Sequence, residues 1–290
     1  MKPSRSEFPP IRGLRYHVRT WGEPHAPKVF MLHGWMDVSA SFQFLVDALE
    51  RDWCVIAPDW RGFGLSEWCS DGYWFPDYLA DLDALLGHYS PDEAARLVGH
   101  SLGGNVVGLY AGLRPQHVLR AISLDGFGVA AESPERAPER YVKWLDALRD
   151  QPQFAPYASL TAVADRLQRN NPRMTREHAE FLAPHWAESL ADGSARLRSD
   201  PRHKLPFPIT YRIEETLAIW RRATAPMLWV GAAESFVRKW LGESEYGLER
   251  RMAAWRDVRH AEIAAAGHML HHDQPEAVAR VIENFLLENK

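Results

Sequence analysis

Cysteine is scarce: Cys54 sits in an apolar run and Cys69 in a polar stretch, so no disulfide framework is expected to hold the chain. Long hydrophobic runs are missing too. None approaches the ~20 residues that span a bilayer. The opening Met1-Lys2-Pro3-Ser4-Arg5-Ser6-Glu7 has no apolar signal core, and a cytoplasmic location is the expectation. Charge of one sign is not in excess. A net charge of −4 and a pI near 6.4 give no reason to expect nucleic acid or an anionic membrane as partner. Repeats and low-complexity tracts are also lacking. The composition, 46% apolar and 25% charged over 290 residues, can build one large core or a core with an inserted subdomain.

Against that background one stretch stands out. Gly99-His100-Ser101-Leu102-Gly103 joins the apolar Leu97-Val98 to a second apolar run, Asn105 to Ala111. The pattern predicts a strand, a sharp turn and a buried helix. A serine held in such a turn needs neighbours without bulk two positions either side, and Gly99 and Gly103 supply them. The turn lifts the Ser101 hydroxyl above the sheet edge, and the helix that follows points its positive end at any anion forming there. That is what a serine nucleophile requires.

The rest of the chain supplies a frame. Short apolar runs at Lys28–Leu32, Cys54–Ala57, Leu97–Val98, Ala121–Leu124, Met227–Val230 and Ala261–Ala264 alternate with helical patterns. The Gly13–Trp21 stretch alternates like an edge strand. This order predicts an α/β fold with a doubly wound, mostly parallel sheet. Residues 127–224 interrupt it with nearly a hundred positions of helical spacing and many prolines. They read as a mostly helical insertion between core segments 1–126 and 225–290.

A serine hydroxyl near neutral pH needs a base, and the base needs an orienting carboxylate. In a doubly wound sheet such groups gather on loops after strand C-termini. His268, beyond the last strand, is the expected base. Two acids compete for the third place. Asp125 follows Ala121–Leu124, and Glu234 follows Met227–Val230 through Gly231-Ala232-Ala233. Glu234 is favoured because that short lead would set its carboxylate beside the His268 loop. The amides of Leu102 and Trp35 are the expected oxyanion donors. His271, His272 and Asp273 invite a metal reading, but no second ligand cluster accompanies them in sequence, so no metal and no cofactor are expected.

Taken together, His33-Gly34-Trp35, Asp59-x-Arg61-Gly62-x-Gly64-x-Ser66, Gly99-x-Ser101-x-Gly103, Gly231-x-x-Glu234 and Gly267-His268 resemble the α/β-hydrolase superfamily over nearly the whole chain. The segment His33 to Phe42 is further similar to its serine hydrolase-like subgroup. The resemblance implies a helical cap at residues 127–224. Within that segment Trp144, Trp186 and Trp220, with Phe154 and Tyr157, are candidates to wall an apolar acyl pocket, and His33 and Gly34 are candidate substrate contacts. Many members carry Asp where Glu234 stands, and some take their acid from the position of Asp125, so both acids stay in play. The activity it implies is cleavage of a small-molecule carboxylic ester. Thioester or lactone hydrolysis would use the same groups, and a ligand receptor without chemistry is the rival from another class. In the insertion cations and acids nearly balance, so a polyanionic substrate such as an acyl-CoA is not demanded.

Overall fold

A computed structural model describes residues 1–237 and 247–288. Eight strands form the sheet: β1 (Ser4–Glu7), β2 (Val18–Trp21), β3 (Lys28–Leu32), β4 (Cys54–Pro58), β5 (Ala95–His100), β6 (Val118–Leu124), β7 (Met227–Ala232) and β8 (Val258–Ile263). Their spatial order is β1-β2-β4-β3-β5-β6-β7-β8. The first two pairings are antiparallel, with Ser4 opposite Trp21 and Val18 opposite Pro58. Every later pairing is parallel. β1 was not foreseen, because Ser4-Arg5-Ser6-Glu7 has no apolar face and owes its extended form to pairing with β2.

The central strands are buried on both faces, which explains their continuous apolar runs. On one face lie α2 (Phe75–Tyr89) and α3 (Leu102–Leu113), through Leu82, Leu85, Val106 and Tyr110. On the other lie Leu45 and Val46 of α1 (Gln43–Ala48) and Val278, Ile282 and Phe285 of the closing helix (Pro275–Leu287). Both cysteines are free and buried.

Between β6 and β7 the chain forms α4 (Ala137–Arg149), α5 (Leu160–Asn170), α6 (Arg176–Trp186) and α7 (Ile213–Trp220). It also forms a small antiparallel pair, Ala187–Ser189 with Ala195–Leu197, that helical spacing did not announce. α5 and α6 share a separate apolar cluster, Val163, Leu167 and Leu182, which seats on Val38, Ala40 and Phe44 beyond β3. α7 differs, since Ile213, Leu217 and Trp220 join the main core.

Candidate active site

Ser101 stands where the central strand β5 turns into α3, at φ 52° and ψ −112°. The two glycines are there for space. A Cβ on Gly99 would lie 2.2 Å from the Gly103 carbonyl oxygen, and one on Gly103 would lie 2.0 Å from the Leu32 carbonyl oxygen. Gly126 is equally tight, 2.3 Å from the Ser101 carbonyl oxygen. Met36, Asp125 and Ala265 share the left-handed backbone of Ser101, and all four follow sheet strands at the same edge. Such conformations cost about 1–3 kcal/mol each and persist where the surroundings over-determine them.

His268, on the loop after β8, reaches both neighbours. Its Nε2 lies 3.0 Å from Ser101 Oγ and its Nδ1 lies 2.6 Å from Asp125 Oδ2. An ionised carboxylate only accepts, so Nδ1 carries the hydrogen and Nε2 turns its lone pair to the serine hydroxyl. Asp125 is buried directly after β6, and its Oδ2 also accepts from the Ser235 hydroxyl. The His268 loop is itself held. The Gly267 amide donates to Asp273 Oδ2 at 2.8 Å, and Asn171 of the insertion donates to Asp273 Oδ1 at 2.7 Å.

The preference for Glu234 as the carboxylate beside His268 is not met by the geometry. Its backbone amide bonds the Ala266 carbonyl at 3.0 Å, but its half-exposed side chain turns outward and pairs with Arg173 of the insertion. Asp125 occupies the place beside the imidazole. The physical reason is reach: Asp125 leaves its strand in a left-handed turn that drives the carboxylate straight under the ring. The residues before Glu234 carry it to the rim.

Gly34 lies against the turn, since a Cβ there would sit 3.2 Å from Ser101 Cβ. The Trp35 amide follows it, and Leu102 opens α3. Among the described residues neither amide has an acceptor within the protein. His33 is no substrate contact. It is fully buried; its Nδ1–H donates to the Gly34 carbonyl at 2.7 Å and its Nε2 accepts from the Trp60 amide at 2.8 Å, tying the loops after β3 and β4 together.

A cavity of about 960 Å³ is lined by Trp35 and Leu102 together with Trp74, Trp144, Phe207 and Tyr211. Of the expected wall residues Trp144 is there. Trp220 touches the cavity but is 1% exposed and stacked on Phe127 at 4.9 Å, a core residue first. Trp186 packs instead with the α5/α6 cluster. Trp74 and Phe207 were missed in sequence, although Pro206-Phe207-Pro208 is an aromatic held in extended backbone, a signal that could have found it. Of the arginines on the wall, Arg140 is engaged by Glu132 and the Phe207 carbonyl and Arg202 by Asp200, while Arg212 is exposed and lies 3.7 Å from Glu215.

Several imidazoles are buried in neutral form. Burial lowers His33 to about 4, His203 to about 3 and His272 to about 3. In the unfolded chain each would bind a proton near pH 6.5, so stability is present above that pH and is lost as pH falls toward 3. Asp37, raised by burial to about 7, works in the opposite direction, but it is one group against three. Thermal scans should therefore give a Tm that drops steeply below pH 6.5. A flat Tm from pH 7 to 4 would contradict the burial of neutral imidazoles.

The serine on its glycine-flanked turn, the imidazole and the strand order define a class. The chain belongs to the alpha/beta hydrolase fold family, whose profile it matches over residues 27–275. It is similar to a serine hydrolase-like protein of Danio rerio, 28% identical over 99% of this chain and 90% of that one. It is also similar to a 3-hydroxybutyrate-oligomer hydrolase of Cupriavidus necator, 29% identical over 89% of this chain and 87% of that one. Among solved structures it superposes on the thioesterase domain from the curacin biosynthetic pathway with a TM-score of 0.85, at 22% identity and covering 97% and 99% of the two chains. Among the described residues no helix is long and apolar enough to cross a membrane.

Proposed function

We propose that this hydrolase cleaves carboxylic esters of small, neutral, largely apolar molecules through an acyl-enzyme on Ser101. The observation that carries the reading is the His268 imidazole held between Ser101 Oγ and Asp125 Oδ2. As Ser101 Oγ attacks the carbonyl carbon, Nε2 takes its proton. The Leu102 and Trp35 amides receive the oxyanion. The protonated imidazole then gives its proton to the departing alcohol, and Asp125 stabilises the cation in between. Water repeats the sequence in reverse roles and releases the acid. Glu234 takes no part.

The cavity supports the substrate class. Its wall is mainly apolar, rich in aromatic rings, and Arg140 and Arg202 are already engaged by Glu132 and Asp200, so little inside it is left to recognise a free carboxylate or phosphate. The names of the C. necator relative and of the thioesterase domain agree with a hydrolytic reading.

The test is turnover of p-nitrophenyl esters from two to twelve acyl carbons, beside a matched thioester and a lactone. Short to medium esters should be preferred, with activity lost in Ser101→Ala. Trp144→Ala should raise KM for the medium esters about tenfold with kcat little changed, since an indole face contributes about 1–2 kcal/mol. Preference for the thioester or lactone would move the substrate class while keeping the groups. Absence of turnover for all three would favour a receptor.

A further inference from the structure

Behind the turn lies a second group of side chains that the path from Ser101 to Asp125 does not use. Asp37 comes from the loop after β3, His100 is the last residue of β5, and His271 stands on the short helix Leu270–Asp273. All three are buried, and one ligand-type atom from each lies within 4.8 Å of the others. Separated by 63 and 171 positions, they form no motif in the sequence.

The atoms that converge have no partners. Asp37 Oδ2, His100 Nδ1 and both ring nitrogens of His271 make no hydrogen bond among the described residues. The tautomer of His100 is fixed from outside: its Nε2 lies 2.8 Å from the His268 carbonyl oxygen, which only accepts, so Nε2 carries the hydrogen and Nδ1 presents a lone pair. An imidazole whose far nitrogen donates to a carbonyl is the usual setting of a metal-binding histidine. Asp37 Oδ1 is held by the Val38 amide at 2.9 Å and by the Ser41 hydroxyl, which leaves Oδ2 for the cluster. The Trp186 indole approaches Asp37 but lies outside hydrogen-bond geometry. Gly34 keeps the space open, because a Cβ there would fall 2.9 Å from His100 Nδ1.

We infer that Asp37, His100 and His271 form a binding site for a divalent transition-metal ion of the zinc type. Two imidazole nitrogens and a carboxylate oxygen are the donor set that such ions take. Atoms no more than 4.8 Å apart enclose a point at most about 2.8 Å from each. Metal–ligand distances of about 2.0–2.2 Å then need only small torsions of each side chain. The ion's place is structural. His100 precedes Ser101, Asp37 follows Trp35 by two positions, and His271 follows His268 by three, so it would brace the three loops that present the serine, one oxyanion amide and the imidazole. This assignment rests on the buried cluster and stands whether or not Ser101 is a nucleophile.

The experiment is metal content and position, measured apart from activity. Protein stripped with a chelator, equilibrated with Zn2+ and passed through a desalting column should retain one ion per chain, and its Tm should rise with Zn2+. His271→Gln and Asp37→Asn should each lose at least tenfold in Zn2+ affinity while keeping a native circular dichroism spectrum. His268→Ala should still hold the ion, which separates this site from chelation at the partly exposed imidazole of His268. Crystals grown with Zn2+ give a readout that does not depend on any variant folding: an anomalous peak between Asp37, His100 and His271. No retained zinc, equal retention by His271→Gln, or an anomalous peak only at His268 or on the surface would overturn the inference and leave a water-filled polar cluster.

Discussion

Asp125→Asn should lower kcat by about 10⁴-fold while Glu234→Gln leaves it within a few-fold of the native protein. Both changes keep side-chain size and remove one charge, so the contrast reads position. At 2.6 Å from His268 Nδ1, Asp125 fixes the tautomer that turns a lone pair on Nε2 toward Ser101. An amide there can donate to Nδ1, which forces the hydrogen onto Nε2 and leaves the serine without a base. Glu234 faces solvent and Arg173, where screening weakens its field at the ring. Steady-state kinetics of both variants on one ester decide the matter. A severe Glu234→Gln with a mild Asp125→Asn would contradict the assignment, and equal modest losses would mean that neither acid is the orienting group.

His268→Ala is expected to cost still more, up to about 10⁶-fold in kcat, because the group that accepts and returns the proton is gone rather than misdirected. KM should change little. The ring is 23% exposed and fills no core, so the variant should melt within a few degrees of the native protein. The loop survives the loss because its anchors are elsewhere, Gly267 and Asn171 on Asp273 and the His268 carbonyl on His100. Turnover near the native rate in a folded His268→Ala protein would point to another base.

The parts legible in sequence were those set by local physics. Gly99 is dictated by the Gly103 carbonyl four positions on and Gly103 by the Leu32 carbonyl of the neighbouring strand that any such turn on a parallel sheet must meet, and parallel strands buried on both faces write themselves as apolar runs. His268 follows from chain order on such a sheet. Choices made by long-range packing were not legible. Whether Asp125 or Glu234 meets the imidazole depends on a left-handed φ after β6 and on Arg173, which comes from the insertion. Trp220 has the spacing of a pocket residue but finds Phe127 and Trp255 in the core. His33 and Gly34 sit side by side in sequence, yet one is a buried strut and the other a gap against Ser101. The meeting of Asp37 with His100 and His271 needs three loops from distant parts of the chain.

The central claim is that Ser101 is the nucleophile, and covalent labelling tests it most directly. The protein should be treated with a fluorophosphonate and weighed intact, then digested and mapped. The account predicts one adduct per chain, on the peptide that carries Ser101, with labelling abolished in Ser101→Ala and strongly slowed in His268→Ala. An adduct that persists undiminished in Ser101→Ala, or a native protein that hydrolyses esters without ever being labelled at Ser101, would contradict it.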